Sequence, residues 1–159
     1  MDQTRLPVRR GPRPQTTTTN PHTQLDQQPT DPTVRERLAA RVFALPGVQE
    51  RPSMISVPGA RALCLDQPKG PRDAFLVAGE FAHLHPPPDL SLHVVLPPRL
   101  VEATIDAGWA EIHPAARRGM IPPNVVMLYA PRDDDDLRVI ESLVEASWAY
   151  AAGTPAANA

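Results

Sequence analysis

EFAHLHPPPDLSLHVVLP, residues 80–97, decides how this chain is read. Two runs of strand-like alternation flank the turn Pro86-Pro87-Pro88-Asp89, which is the pattern of a β-hairpin. Antiparallel partners across such a turn have residue numbers that sum to about 176. His83 then faces His93, and His85 faces Ser91. One side of the hairpin carries Phe81, His83, His85, Ser91, His93 and Val95, and the other Ala82, Leu84, Leu92, Val94 and Leu96. The second side is a core face. The first is apolar at its far end and polar near the turn, as the mouth of a small-molecule pocket would be.

Upstream, Asp31-Pro32 and the box Thr33 to Glu36 offer a helix start, and Val34, Leu38, Val42 and Leu45 make its apolar stripe up to Pro46-Gly47. Three β-type runs follow at Ser53–Val57, Ala60–Asp66 and Asp73–Ala78, with links too short for parallel crossovers. Downstream, Pro97-Pro98 opens a second helix that Gly108 closes, and Trp109–Pro114 is a short extended piece. Residues 115–123 read as an irregular loop, and Asn124–Ala130 as a strand buried on both faces. The last helix starts at Asp133-Asp134-Asp135-Asp136, where carboxylates cap free N–H groups and favour the positive end of the dipole. Its stripe is Leu137, Ile140, Val144, Trp148 and Ala151. The expectation is an α+β domain over residues 31–153: an N-terminal helix, an antiparallel meander of about five strands, and two further helices packed on the sheet.

The 21 prolines in 159 residues are unevenly placed. Residues 1–30 hold few large apolar side chains and are expected to be disordered, as are 154–159. Four arginines make the leader mildly basic against a net charge of −2 for the whole chain. The ordered part is acidic and has no basic stripe, so nucleic-acid binding is not expected. No segment reads as a signal peptide or membrane span, which predicts a cytoplasmic protein with no membrane partner. The lone Cys64 cannot form an internal disulfide and reads as a buried structural thiol. There is no Gly-rich phosphate loop and no CxxC pair.

The histidine face allows three chemistries. Imidazoles with a pKa near about 6.5 serve as general base and acid toward a phenol or enol. His83, His85 and His93 also have the disposition of a metal-binding face, although no carboxylate lies within the strands to complete a facial triad and Glu80 and Asp89 only flank it. The third use is structural. His113, with Glu111 as its same-face neighbour, is a further contributor, and His22 is set aside with the leader.

Six motifs in order resemble the luciferase-like domain family, small proteins similar to the luciferase of luminous fungi: ProGlyVal at 46–48, SerValProGlyAlaArg at 56–61, GluPheAlaHisLeuHisPro at 80–86, SerLeuHis at 91–93, GlyTrpAlaGlu at 108–111 with HisPro at 113–114, and TyrAlaProArg at 129–132. The resemblance covers about residues 35–151. It implies an oxygenase-like enzyme that works without metal or organic cofactor, and so favours the acid/base use of the histidines. The expected catalytic set is His83, His85, His93 and His113, with Phe81, Ser91, Glu111, Tyr129 and Arg132 as substrate contacts. No cofactor is expected, and a metal on His83, His85 and His93 is the lesser option. The expected partner is a small molecule. The competing reading is a non-catalytic ligand-binding or protein-interaction domain.

Overall fold

The hairpin forms in the expected register. In the computed structural model, which describes residues 5–154, strand β3 (Glu80–Leu84) pairs with β4 (Leu92–Val95), and His83 stands opposite His93. Around this pair lies a six-stranded antiparallel sheet in the order β1-β2-β3-β4-β6-β5. The outer members are β1 (Val48–Pro52), β2 (Arg61–Leu65), β5 (Ala110–Ile112) and β6 (Val125–Leu128). Helices α1 (Thr33–Phe43) and α4 (Asp134–Ala152) pack on each other and on one face of the sheet, and α2 (Pro98–Asp106) packs beside β5.

Local chemistry sets the helix ends. Asp31 Oδ1 accepts the Thr33 N–H at 2.9 Å, and Asp133 Oδ1 accepts the Asp136 N–H at 3.0 Å. Gly153, at φ 71°, takes the left-handed turn that stops α4. Val34, Leu38 and Val42 of α1 meet Leu137, Ile140 and Val144 of α4 over Leu63, Ala82, Leu84, Leu92 and Val94 of the sheet, all buried. Each such Val, Leu or Ile side chain contributes about 1.5–3 kcal/mol by leaving water. Trp148 of the expected stripe is only partly buried, and its indole N–H donates to Pro46 O at 2.9 Å.

Four expectations are corrected. Ser53–Val57 is a loop, because Ser53 Oγ accepts the Ile55 and Ser56 N–H groups, at 3.3 and 3.1 Å, and folds the segment on itself. The first strand instead lies just upstream, as β1. Asp73–Ala78 is also not a strand: a 3-10 turn occupies Arg72–Ala74, and Tyr150 Oη holds Asp73 Oδ1 at 2.6 Å. Residues 115–123 are not wholly irregular, since Pro114–Arg117 form the short helix α3, with Pro114 in its first turn.

The fourth correction concerns the leader. Its described residues, from Arg5 onward, lie along the domain. The Arg9 N–H donates to Ala107 O at 2.8 Å, the Trp109 indole to Pro7 O at 2.6 Å, and the buried Ala130 N–H to Gln24 Oε1 at 2.9 Å. Arg13 adds a bond to Ala110 O at 2.8 Å. Backbone and side-chain hydrogen bonds hold this segment along its length, and of its few large apolar side chains Leu6 packs against the core, so a count of apolar residues does not reveal it. The expected tail over 154–159 falls, beyond Thr154, outside the described residues.

Candidate active site

A bulge in β3 arranges the polar face. Leu63 pairs with Ala82 but Cys64 pairs with Glu80, leaving Phe81 as the extra residue. Phe81 therefore enters the core, where it is fully buried, and Glu80 comes round to the histidine side. Its Oε1 lies 2.9 Å from His83 Nδ1 and accepts the Ser53 hydroxyl at 2.7 Å. The expected substrate contact at Phe81 is thereby corrected: its side chain serves the core.

His93 is the hub of the site. Its Nδ1 lies 3.1 Å from His83 Nε2 and 2.9 Å from His85 Nε2, while its Nε2 lies 2.9 Å from His22 Nδ1. The His93 and His113 rings are 4.6 Å apart between centroids. All five histidines of the chain thus gather in one place. The discounted His22 is among them, 3% exposed, carried in by the leader. The available signal was the histidine count itself, since composition alone assigned residue 22 to a polar tail.

Acidic groups stand behind the ring cluster. His22 Nε2 donates to Glu111 Oε2 at 2.9 Å. His85 Nδ1 meets Ser91 Oγ at 2.9 Å, and that hydroxyl donates to Asp89 Oδ1 at 2.7 Å. Asp89 Oδ2 is also 3.0 Å from His85 Nδ1, but it is out of line for a second full hydrogen bond. His113 faces differently: its Nδ1 accepts the Ala115 N–H at 3.0 Å at the start of α3.

Burial governs the electrostatics. It pushes the His93 pKa well below the usual histidine range, and the surrounding imidazoles push the same way. His83 is lowered chiefly by burial, against the opposing pull of Glu80. His113 falls to about 4 through burial and the neighbouring histidines. Burial alone would raise Glu111, but hydrogen bonds from His22, Thr16 and Tyr129 outweigh it and hold the group below its ordinary value. These rings are neutral at pH 7 and Glu111 is an anion. Burial also raises the Cys64 thiol, which keeps it protonated and inert.

A cavity of about 510 Å³ opens over His22, His83, His85, His93 and His113. Its other walls come from residues 20–23 of the leader, the loop 55–57, Leu76, Ala115, Met120 and Ile121. All four histidines of the expected catalytic set line it, and none of the expected substrate contacts does. Ser91 orients His85, Glu111 orients His22, and Tyr129 donates to Glu111 Oε1 at 3.0 Å. Arg132 is bound to Asp136 at 2.6 Å and to Arg10 O at 2.8 Å. Two trios have the spacing to hold a metal ion, His83 with His85 and His93, and His22 with His93 and His113. No helix among the described residues is long and apolar enough to cross a membrane.

Comparison with known proteins places this geometry in context. Residues 78–147, which include the hairpin, match the Luciferase domain family. The luciferases of Armillaria gallica and Armillaria ostoyae are each 32% identical to the chain over 169 aligned residues, covering 95% of this chain and 63% of theirs. The luciferase of Neonothopanus nambi is 38% identical over 79 residues, 48% of this chain and 30% of its own. The chain thus spans a little under two thirds of the length of the Armillaria relatives. No solved structure matches it. With its hairpin, buried histidines and cavity inside the matched segment or folded against it, the chain is similar to the luciferase-like domain family across residues 78–147 and to the fungal luciferases over most of its length.

Proposed function

We propose that the protein is an oxygenase-like enzyme that takes a flat phenolic or enolisable compound into the 510 Å³ cavity. The observation that carries this reading is the contrast within the cavity between an imidazole floor and walls of Pro21, Ile55, Val57, Leu76, Met120 and Ile121. A flat apolar ring suits the walls, and an acidic hydroxyl suits the floor. His83 and His85 present Nε2 lone pairs, because their Nδ1 atoms donate to Glu80 and to Ser91. Such a lone pair accepts the hydroxyl proton and leaves an electron-rich enolate or phenolate. A carbon of that anion joins dioxygen, the substrate supplying both electrons, and the returned proton completes a hydroperoxide. His113, neutral and holding its remaining proton on Nε2, is placed to donate to a carbonyl or oxyanion.

The test pairs binding with oxygen uptake. Hydroxylated pyrones and coumarins are titrated calorimetrically under argon, and oxygen consumption is then followed in air. Binding with uptake is expected, and His83→Ala, His85→Ala or His93→Ala should lower turnover by about 100-fold or more. If all three variants bind and turn over like the parent, the reading is wrong. Binding without uptake would leave a ligand-binding domain.

A further inference from the structure

The protons of the histidine cluster do not balance among the side chains alone. His83 and His85 use their Nδ1 protons on Glu80 and Ser91, so each presents a bare Nε2 to His93 Nδ1. His22 uses its Nε2 proton on the Glu111 carboxylate, so it presents a bare Nδ1 to His93 Nε2. The single proton of a neutral His93 cannot serve both sides: on Nδ1 it leaves His93 Nε2 and His22 Nδ1 as two lone pairs facing each other at 2.9 Å, and on Nε2 it satisfies His22. In that second arrangement three lone pairs, on His83 Nε2, His85 Nε2 and His93 Nδ1, converge. Clustered lone pairs repel and call for a cation.

Charge points the same way. Glu80 and Asp89 are 2% and 7% exposed, and histidine is their only ion-pair partner among the described residues. Neutral imidazoles do not neutralise a buried carboxylate, and leaving its charge uncompensated is costly. Carboxylates that accept from the far nitrogen of a histidine are the usual outer shell of a metal site, whether directly, as Glu80 does, or through a hydroxyl, as Asp89 does. Geometry agrees as well. Bonds of ~2.1 Å at tetrahedral or right angles set ligand nitrogens about 3.0–3.4 Å apart. The two separations from His93 Nδ1, 3.1 and 2.9 Å, lie at the short end of that range and just below it.

We propose that His83 Nε2, His85 Nε2 and His93 Nδ1 form a facial site for one divalent first-row transition metal ion, open to the cavity on its remaining side. An all-nitrogen, uncharged donor set suits zinc, iron, cobalt, nickel or copper and disfavours magnesium and calcium. Glu80 and the Ser91–Asp89 pair fix the tautomers of two ligands. His22, backed by Glu111, fixes the third. The inference deepens the functional reading: with the ion bound, the Nε2 lone pairs of His83 and His85 are taken, and the ion's open side, in their place, would favour the ionised form of the substrate hydroxyl, while ion binding itself is measured without substrate.

The full chain is stripped with a chelator and dialysed separately against Zn²⁺, Co²⁺ and Fe²⁺, the last anaerobically, and metal content and the visible spectrum of the Co²⁺ form are recorded. One ion per chain with the ligand-field bands of nitrogen-bound Co²⁺ is expected. His93→Ala should weaken binding by about 100-fold or more, and Glu80→Gln by about 10–100-fold. His113→Ala, which belongs only to the other trio, should bind as the parent does. The site is refuted if the parent binds none of the three ions at micromolar concentration, or if His83→Ala/His85→Ala keeps parental affinity. An imidazolium seen by nitrogen NMR in a cluster that takes up no metal would assign the gap to a proton and also refute it. Should His93→Ala fail to fold, parental stoichiometry and Glu80→Gln decide the matter. Metal without phenol binding would retain this site and remove the proposed substrate, and phenol binding without metal would do the reverse.

Discussion

Gln24→Ala tests whether the leader is a working part of the domain. Gln24 is 3% exposed, and its Oε1 accepts the Ala130 N–H at 2.9 Å just beyond β6. Its Nε2 donates to Asp26 O at 2.8 Å and steadies the leader's own bend. Ala130 is 1% exposed, so truncating Gln24 leaves a buried N–H without an acceptor. That costs about 1–3 kcal/mol. For a chain of this length, a loss of about 2 kcal/mol lowers Tm by about 4–8 °C. Urea denaturation followed by circular dichroism should show an earlier midpoint with an unchanged slope, the sign of lost stability rather than altered compactness. Thr19→Ala, at an exposed position of the same segment, is the control and should stay within about 0.5 kcal/mol of the parent. If Gln24→Ala matches that control, the leader is not docked in solution, and the cavity wall formed by residues 20–23 goes with it.

Three further predictions address the frame around the site. A Cβ at Gly79 would lie 2.3 Å from Leu65 O, so Gly79→Ala must move backbone beside the bulge. Thermal unfolding should register a loss of at least ~1–3 kcal/mol, and a parental Tm would contradict the packing there. Asp133→Ala removes the α4 cap and should cost about 1 kcal/mol by urea titration, whereas Asp135→Ala, whose carboxylate pairs with Arg138 on the surface, should cost little. The two tyrosines, Tyr129 and Tyr150, are both raised to about 12, with burial the leading cause. The ultraviolet phenolate signal of the folded protein should therefore appear near about 12, against about 10 in urea. Stability from these groups is complete below the unfolded value and is lost as pH rises from about 10 to about 12, because the unfolded chain releases its phenol protons first.

Much of this was legible in the residues, and the physics explains which part. The hairpin register followed from the proline turn and the two-residue alternation, which admit one pairing that keeps Leu84 and Leu92 inside. The helices α1, α2 and α4 were marked by their caps and stripes. The bulge left no trace, because a strand that runs Glu80-Phe81-Ala82 looks regular until its partner shows that two consecutive residues share the inner face. Ser53–Val57 and Asp73–Ala78 had strand-like composition, but single side-chain bonds at Ser53 and Asp73 are enough to bend runs so short. His22 was hidden for a different reason. Its burial comes from hydrogen bonds to Glu111 and His93, distant in the sequence and invisible to periodicity.

The leader's attachment also sets the order in which the site is assembled. His22 lies 71 residues before His93, and Gln24 lies 106 before Ala130. A chain emerging from the ribosome exposes these leader residues well before their anchors on β4 and beyond β6. The leader thus cannot dock until those later segments exist. Before it docks, the cluster lacks the wall that residues 20–23 supply, so whatever occupies it has its freest access at that stage.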